Sequence, residues 1–171
     1  MSIEKQGFPA EIPPLELQAT NYEMGEGARL LHELEQTGAY VFHGSTTADI
    51  AELETRQPYD YTDDVKQEHG SPCVAATLSA DVAIFRALVV DEYTGFGPDD
   101  KGNIRLRASQ KALDAVRGQK GFVYVLPKDG FTQFGVHPKM EWRSSVNQKP
   151  TQIIEVTEKD LPKDIELIAA E

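Results

Sequence analysis

The run from Gly121 to Pro127, GFVYVLP, limits the possible folds of this chain more than any other stretch. It contains no charged residue, and valine and aromatic side chains dominate it. Such a run fits the interior of a β-sheet, because at an exposed edge its apolar side chains would lie in water. We therefore predict a buried strand here, with Val123 and Val125 in the core.

Weaker patterns on either side of this run predict further elements. Helices are expected where apolar residues recur at helical spacing, and strands where apolar runs are bounded by turn residues. The predicted helices are 27–36, one or two turns within 46–53, a helix capped by Ser79 and ending at Leu88, and 109–116. The predicted strands are 39–45, 73–77, 103–108, 121–127, 131–134, 140–146 and 151–157, with 121–127 and 131–134 forming a hairpin and with polar loops at 54–71 and 91–102. Early helices and late strands indicate an α+β domain with a mainly antiparallel sheet.

The first 24 residues differ from the rest of the chain. Pro9, Pro13 and Pro14 lie among apolar residues there, which predicts an extended arm at 1–24 before a single α+β domain at 25–171. Because a pure linker would be more polar, we expect this arm to pack on the domain or on a second subunit, as in a homodimer.

Composition narrows the classes of partner. The 171 residues are 40% hydrophobic and 26% charged, and no apolar run approaches the ~20 residues of a membrane span, so no membrane partner is predicted. The acidic N-terminus does not resemble a signal peptide, which indicates a cytoplasmic protein. A single cysteine, Cys73, excludes an internal disulfide or a cysteine-rich metal site, and no metal is predicted.

The charge of the chain is unevenly distributed. The net charge of −11 argues against non-specific binding to nucleic acid, whose phosphates would be repelled. Residues 1 to 100 hold 5 Lys and Arg against 19 Asp and Glu, whereas residues 101 to 149 hold 10 against 3. Two explanations of this uneven charge distribution are open. The two halves could pair across one fold, or the basic half could receive a phosphorylated ligand.

The residues best suited to chemistry are His43-Gly44-Ser45, at the end of a predicted strand, and Glu141, the one acid between residues 130 and 154. His43 can hydrogen-bond a ribose hydroxyl, Gly44 permits close approach of a ligand, and Ser45 offers a hydroxyl and an N–H group. Glu141 can stabilise a cation that develops at an anomeric carbon. The alternatives are a structural histidine at a tight turn and a glutamate paired with Arg143 or Lys139.

The order of these residues resembles the ADP-ribosyltransferase fold, most closely its poly(ADP-ribose) polymerase branch. That resemblance implies a split, mainly antiparallel sheet with peripheral helices, and NAD as the substrate. It also implies that His43, Gly44 and Ser45 hold NAD and that His43 and Glu141 act in catalysis. Where the family places a tyrosine that stacks on nicotinamide, this chain has Val74-Ala75-Ala76-Thr77.

Small bacterial proteins of unassigned function are also similar, through Leu53-Glu54-Thr55-Arg56 and Ala76-Thr77, so Arg56 and Thr77 join the expected ligand-binding residues. Pyrophosphate could be bound by arginines that would otherwise form surface ion pairs, namely Arg56, Arg86, Arg105 and Arg107. The implied activity is ADP-ribosyl transfer or NAD cleavage. The alternatives are a catalytically silent module that binds a nucleotide or a protein, and an RNA 2′-phosphotransferase-like enzyme.

Overall fold

The computed structural model describes residues 24–62, 65–90 and 94–169. Within these ranges the protein is α+β, as predicted, with mostly antiparallel sheets. The helices are α1 (Glu26–Thr37), α2 (Ala80–Leu88) and α3 (Gln110–Asp114). The strands are β1 (Tyr40–Ser45), β2 (Tyr59–Thr62), β3 (Val65–Glu68), β4 (Val74–Ala76), β5 (Gly95–Pro98), β6 (Ile104–Ala108), β7 (Gly121–Pro127), β8 (Thr132–Phe134), β9 (Glu141–Ser144), β10 (Gln152–Val156) and β11 (Ile165–Leu167). The predicted arm, apart from residue 24, lies outside the described residues.

Strand β7 is the centre of the first sheet. It pairs with β1 on one side and with β10 on the other, both antiparallel. Val123 and Val125 have no exposed surface, which confirms the predicted buried strand. The long apolar run is needed because side chains of β7 contact protein on both faces of the sheet.

A second antiparallel sheet, in the order β4-β9-β8, joins the first through a single bridge. Phe42 of β1 and Thr77, just after β4, exchange backbone hydrogen bonds of 2.8 and 2.9 Å. The six strands therefore follow one another as β10-β7-β1-β4-β9-β8. Because β1 and β4 pair only at this bridge, the two strands are free to separate on either side of it.

Helices α1 and α2 cover one face of the first sheet. Leu31, Phe42 and Phe85 belong to the core on this face, and alternate residues of the same strands, such as Val41 and Tyr124, form a second core on the other face. Both helices begin at a satisfied N-terminus. The Ser79 hydroxyl accepts the amide of Val82, and the Asp160 carboxylate, from a turn distant in sequence, accepts the amide of Ala28 at 2.7 Å.

Two smaller units complete the described chain. Strands β5, β6 and β11 form a three-stranded sheet in which β6 and β11 are parallel. Strands β2 and β3 form an antiparallel hairpin that pairs Tyr59 with Glu68. Among the described residues, no helix has the length and apolar character required to cross a membrane.

Several sequence predictions were wrong. Strands β7 and β8 do not form a hairpin, because both edges of β7 are already occupied and β8 pairs with β9 instead. Residues 46–53 form no helix, since the Tyr124 hydroxyl holds this segment by donating to Thr47 O and accepting from Ile50 N. The expected loops at 54–71 and 91–102 contain the β2–β3 hairpin and β5.

Candidate functional site

A cavity of about 490 Å³ is lined by residues of β1 and β4 beside the single bridge between these strands. We call it the His43–Glu141 cavity. It is lined by Phe42, His43, Gly44, Pro58, Tyr59, Asp60, His69, Ala75, Ala76, Thr77, Val82, Ala83, Arg86, Gly95, Phe96, Met140, Glu141 and Arg143. The wall therefore combines strand ends, the exposed β2–β3 hairpin and one side of α2.

His43 is held in one orientation in this wall. Its Nδ1 lies 2.7 Å from the carbonyl oxygen of Ala75, so Nδ1 carries the proton, because a carbonyl only accepts. Burial lowers the pKa of His43, the hydrogen bond to Ala75 opposes this shift, and the positive charge of Arg86 adds to it. At neutral pH the ring is thus uncharged, and Nε2 is a hydrogen-bond acceptor with no partner among the described residues.

Gly44 serves a purpose that the sequence did not indicate. A Cβ atom at this position would lie 2.1 Å from the carbonyl oxygen of Ala83, and one at Gly121 would lie 2.3 Å from that of Ala87. Both contacts are with α2. Gly44 therefore lets α2 lie directly on the sheet, and the predicted reason for this glycine, close approach of a ligand, is not needed to explain it.

Glu141 lines the same cavity and forms an ion pair. Its Oε2 accepts the Nε–H of Arg143 at 2.6 Å, and 31% of its side chain is exposed. Oε1 has no hydrogen-bond donor among the described residues. The pairing with Arg143 that was an alternative in the sequence is present, and it leaves one carboxylate oxygen available to a ligand.

Arg143 also fixes the hairpin that borders the cavity. Only 9% of its side chain is exposed, and its guanidinium lies 3.4 Å from the centre of the Phe134 ring. Its Nη1 donates to the carbonyl oxygen of His69, which directly follows β3, at 2.8 Å. One arginine therefore connects the catalytic candidate Glu141 to the β2–β3 hairpin.

Arg86 extends from the last turn of α2 into the same cavity. Its guanidinium lies 5.5 Å from the centre of the Phe96 ring. Desolvation by the surrounding protein lowers the pKa of Arg86, and the nearby carboxylate of Glu141 opposes that shift. Arg86 remains a cation at any physiological pH.

The remaining predicted ligand-binding residues lie elsewhere or are already hydrogen-bonded. Ser45 and Arg56 line a neighbouring cavity of about 440 Å³, which shares His43, Pro58 and Ala75 with the first. Thr77 borders the His43–Glu141 cavity, but its hydroxyl donates to Lys139 O and accepts the amide of Ser79. Arg105 and Arg107 form ion pairs with Asp99 and Glu166 on the sheet of β6.

Sequence reasoning missed the aromatic residues of the cavity, Tyr59 and Phe96, and left Arg86 as one of four arginines that could either bind pyrophosphate or form surface ion pairs. The spacing of α2 held a signal for Arg86, because Val82, Ala83 and Arg86 share one side of a helix.

A third cavity, of about 370 Å³, lies between α1, α2 and β6 and contains the His32–Asp81 pair. It contains none of the predicted site residues.

Among the described residues, no group of three or more His, Cys, Asp or Glu side chains is arranged to hold a metal ion. Burial raises the pKa of the Cys73 thiol, so this cysteine is a poor nucleophile.

Comparison of the chain with protein-family models, curated proteins and solved structures found no match.

Proposed function

We propose that the His43–Glu141 cavity binds NAD and that the protein cleaves the bond between nicotinamide and ribose, passing ADP-ribose to an acceptor or to water. The observation that carries this proposal is the presence, in one cavity, of a neutral histidine acceptor and a carboxylate with an unoccupied oxygen. The resemblance of the His43-Gly44-Ser45 strand and the late Glu141 to ADP-ribosyltransferases supports it.

The spacing of the two side chains suits such a ligand. His43 lies on β1 and Glu141 on β9, with β4 between them. Phe42, next to His43, bridges to Thr77, and paired strands lie about 4.8 Å apart, so at the level of this bridge the backbones of β1 and β9 are separated by roughly 10 Å. A ribose with its attached base can span that distance. The volume of about 490 Å³ is also typical of small-molecule sites.

The proposed chemistry uses both groups directly. Nε2 of His43 accepts a hydrogen bond from a ribose hydroxyl and so orients the sugar. As the bond from C1′ to the nicotinamide nitrogen breaks, its electron pair leaves with nicotinamide, and a cation develops at C1′. Glu141 stabilises this cation. Water or an acceptor then bonds to C1′ and releases a proton.

Two aromatic residues offer what the strand at 74–77 lacks. The resemblance predicts an aromatic partner for nicotinamide, and Val74-Ala75-Ala76-Thr77 provides none. Tyr59 from the hairpin and Phe96 from β5 line the cavity instead. Aromatic side chains on a cavity wall favour a planar ring as ligand, because offset stacking stabilises such pairs.

The direct test is incubation with NAD, with free nicotinamide measured by chromatography. We expect slow release by the wild type and a loss of roughly 100-fold in Glu141→Gln, because the replaced group would no longer stabilise the developing cation. Glu155→Gln is the matched control, since Glu155 lies on β10 and pairs with Lys120. If the wild type at high concentration releases no nicotinamide, the proposed reaction is wrong.

A second candidate function is a catalytically silent nucleotide-binding module. The observation that favours it is the ion pair at 2.6 Å, since Arg143 already neutralises much of the charge that Glu141 would offer a cation. Thermal unfolding with and without NAD, together with the nicotinamide assay, distinguishes the silent module from the enzyme. A ligand at 100 times its dissociation constant raises stability by about 2.7 kcal/mol, so stabilisation without nicotinamide release identifies the silent module.

A further inference from the structure

Among the described charged side chains that line the His43–Glu141 cavity, Arg86 is the one with no oppositely charged side chain within ion-pair distance. Glu141 pairs with Arg143 at 2.6 Å, and Asp60 pairs with His69 at 2.7 Å. No carboxylate among the described residues lies within 4 Å of the Arg86 guanidinium. Among the residues that the structure describes, Arg86 is therefore the one cation of the cavity wall without an ion-pair partner, in a chain with a net charge of −11.

The described groups beside Arg86 orient its guanidinium, and none of them is an anion within 4 Å of it. The Phe96 ring, 5.5 Å away, attracts the guanidinium through its π-electrons and occupies none of its N–H donors. The end of α2 supplies only partial negative charge. The charge of Arg86 lowers the pKa of His43, and Glu141 raises that of Arg86, so Arg86 is electrostatically close to both groups.

We propose that Arg86 binds the pyrophosphate of a nucleoside-diphosphate ligand, such as the ADP-ribose portion of NAD, in the His43–Glu141 cavity. This inference rests on the proposed function for its ligand class. A guanidinium presents several N–H donors in a plane that matches the oxygens of a phosphate. A pyrophosphate beside Arg86 would place the adjoining ribose within reach of His43, whose neutral ring accepts a hydrogen bond from a hydroxyl and adds no charge to the site.

The test is calorimetric titration with two probes, ADP-ribose and inorganic pyrophosphate. We compare the wild type with Arg86→Gln, which removes the charge, and Arg86→Lys, which keeps it. Arg117→Gln is the matched control, because this arginine is 72% exposed and pairs only weakly, at 3.4 Å, with Asp114. Thermal unfolding of each variant confirms that it is folded before binding is compared.

We expect ADP-ribose to bind the wild type and Arg117→Gln equally and Arg86→Gln at least tenfold more weakly, with Arg86→Lys between them. The salt dependence of binding should also be shallower in Arg86→Gln, because one fewer charge contacts phosphate. Equal affinity of Arg86→Gln and the wild type for ADP-ribose would overturn the proposal, as would failure of the wild type to bind either probe. Binding through Arg86 without nicotinamide release from NAD would overturn the proposed reaction alone.

Discussion

His43 is a residue whose neutral state depends on the fold. In the unfolded chain its imidazole takes up a proton near pH 6.5, whereas burial lowers its pKa in the folded protein. Between those two values the unfolded state binds more protons. The stabilisation that His43 contributes to the folded protein therefore has its full value above about pH 6.5. It falls as the pH drops toward the lowered pKa.

This gives a prediction for His43→Gln. The variant lacks the titrating ring, so its stability should fall less than that of the wild type between pH 7.5 and pH 5. His32, whose pKa is raised by its hydrogen bond to Asp81, acts in the opposite direction but is common to both proteins. Urea unfolding at several pH values measures the difference. Parallel pH profiles would mean that His43 titrates equally in both states.

At the scale of elements, the β2–β3 hairpin is joined to the second sheet at His69. All four residues of β3 are exposed, Arg143 donates to His69 O, and the His69 ring lies edge-on to Phe134, with 5.2 Å between the ring centres. The same guanidinium contacts Phe134 and Glu141. Lysine would keep the charge but could not make these contacts together, because it lacks the planar group.

We therefore expect Arg143→Lys to speed amide hydrogen exchange in the hairpin by roughly tenfold, corresponding to the loss of a single charge-assisted hydrogen bond of about 1.5 kcal/mol. The matched control is Arg107→Lys, since Arg107 is 45% exposed and pairs with Glu166 at 3.1 Å. Hydrogen exchange over residues 65–68, measured by mass spectrometry in the wild type and both variants, tests this prediction. Unchanged exchange in Arg143→Lys would show that other contacts hold the hairpin.

The elements that could be predicted from the sequence are those whose signals are local. The apolar run of β7 and the Ser79 cap of α2 identified both elements within a residue or two. Strand partners could not be predicted, because pairing β7 with β1 and β10 depends on residues about 80 and 30 positions away. For the same reason His43, Glu141 and Arg86 were identified by residue type alone, and selecting Arg86 from the four candidate arginines required knowledge of how α2 lies on the sheet.

Over the whole molecule, the two cores are connected through the same strands. Alternate residues of β1 and β7 enter opposite cores, so neither core can open without disturbing the strands that form the other. Leu31 of α1 is fully buried in the first core, whereas Trp142, the only tryptophan, packs on the second. We therefore expect the protein to unfold in one cooperative transition.

Leu31→Ala tests this expectation. The lost packing should lower stability by about 3 kcal/mol. The midpoint should fall equally by circular dichroism and by Trp142 fluorescence, although Trp142 is on the other side of the sheet. Leu30→Ala is the matched control, since its neighbour Leu30 is 37% exposed and should have a much smaller effect. Separate midpoints for the two signals would show that the cores unfold independently.

The close contact between α2 and the sheet has a consequence for the evolution of this protein. Gly44 and Gly121 have no room for a Cβ atom against Ala83 and Ala87, so a larger residue at either glycine would push α2 away from the sheet. Arg86 lies on the same helix and would be carried out of the cavity. Natural selection for the cavity should therefore preserve glycine at positions 44 and 121 because of helix packing, and substitutions at these glycines and at the facing alanines should occur together.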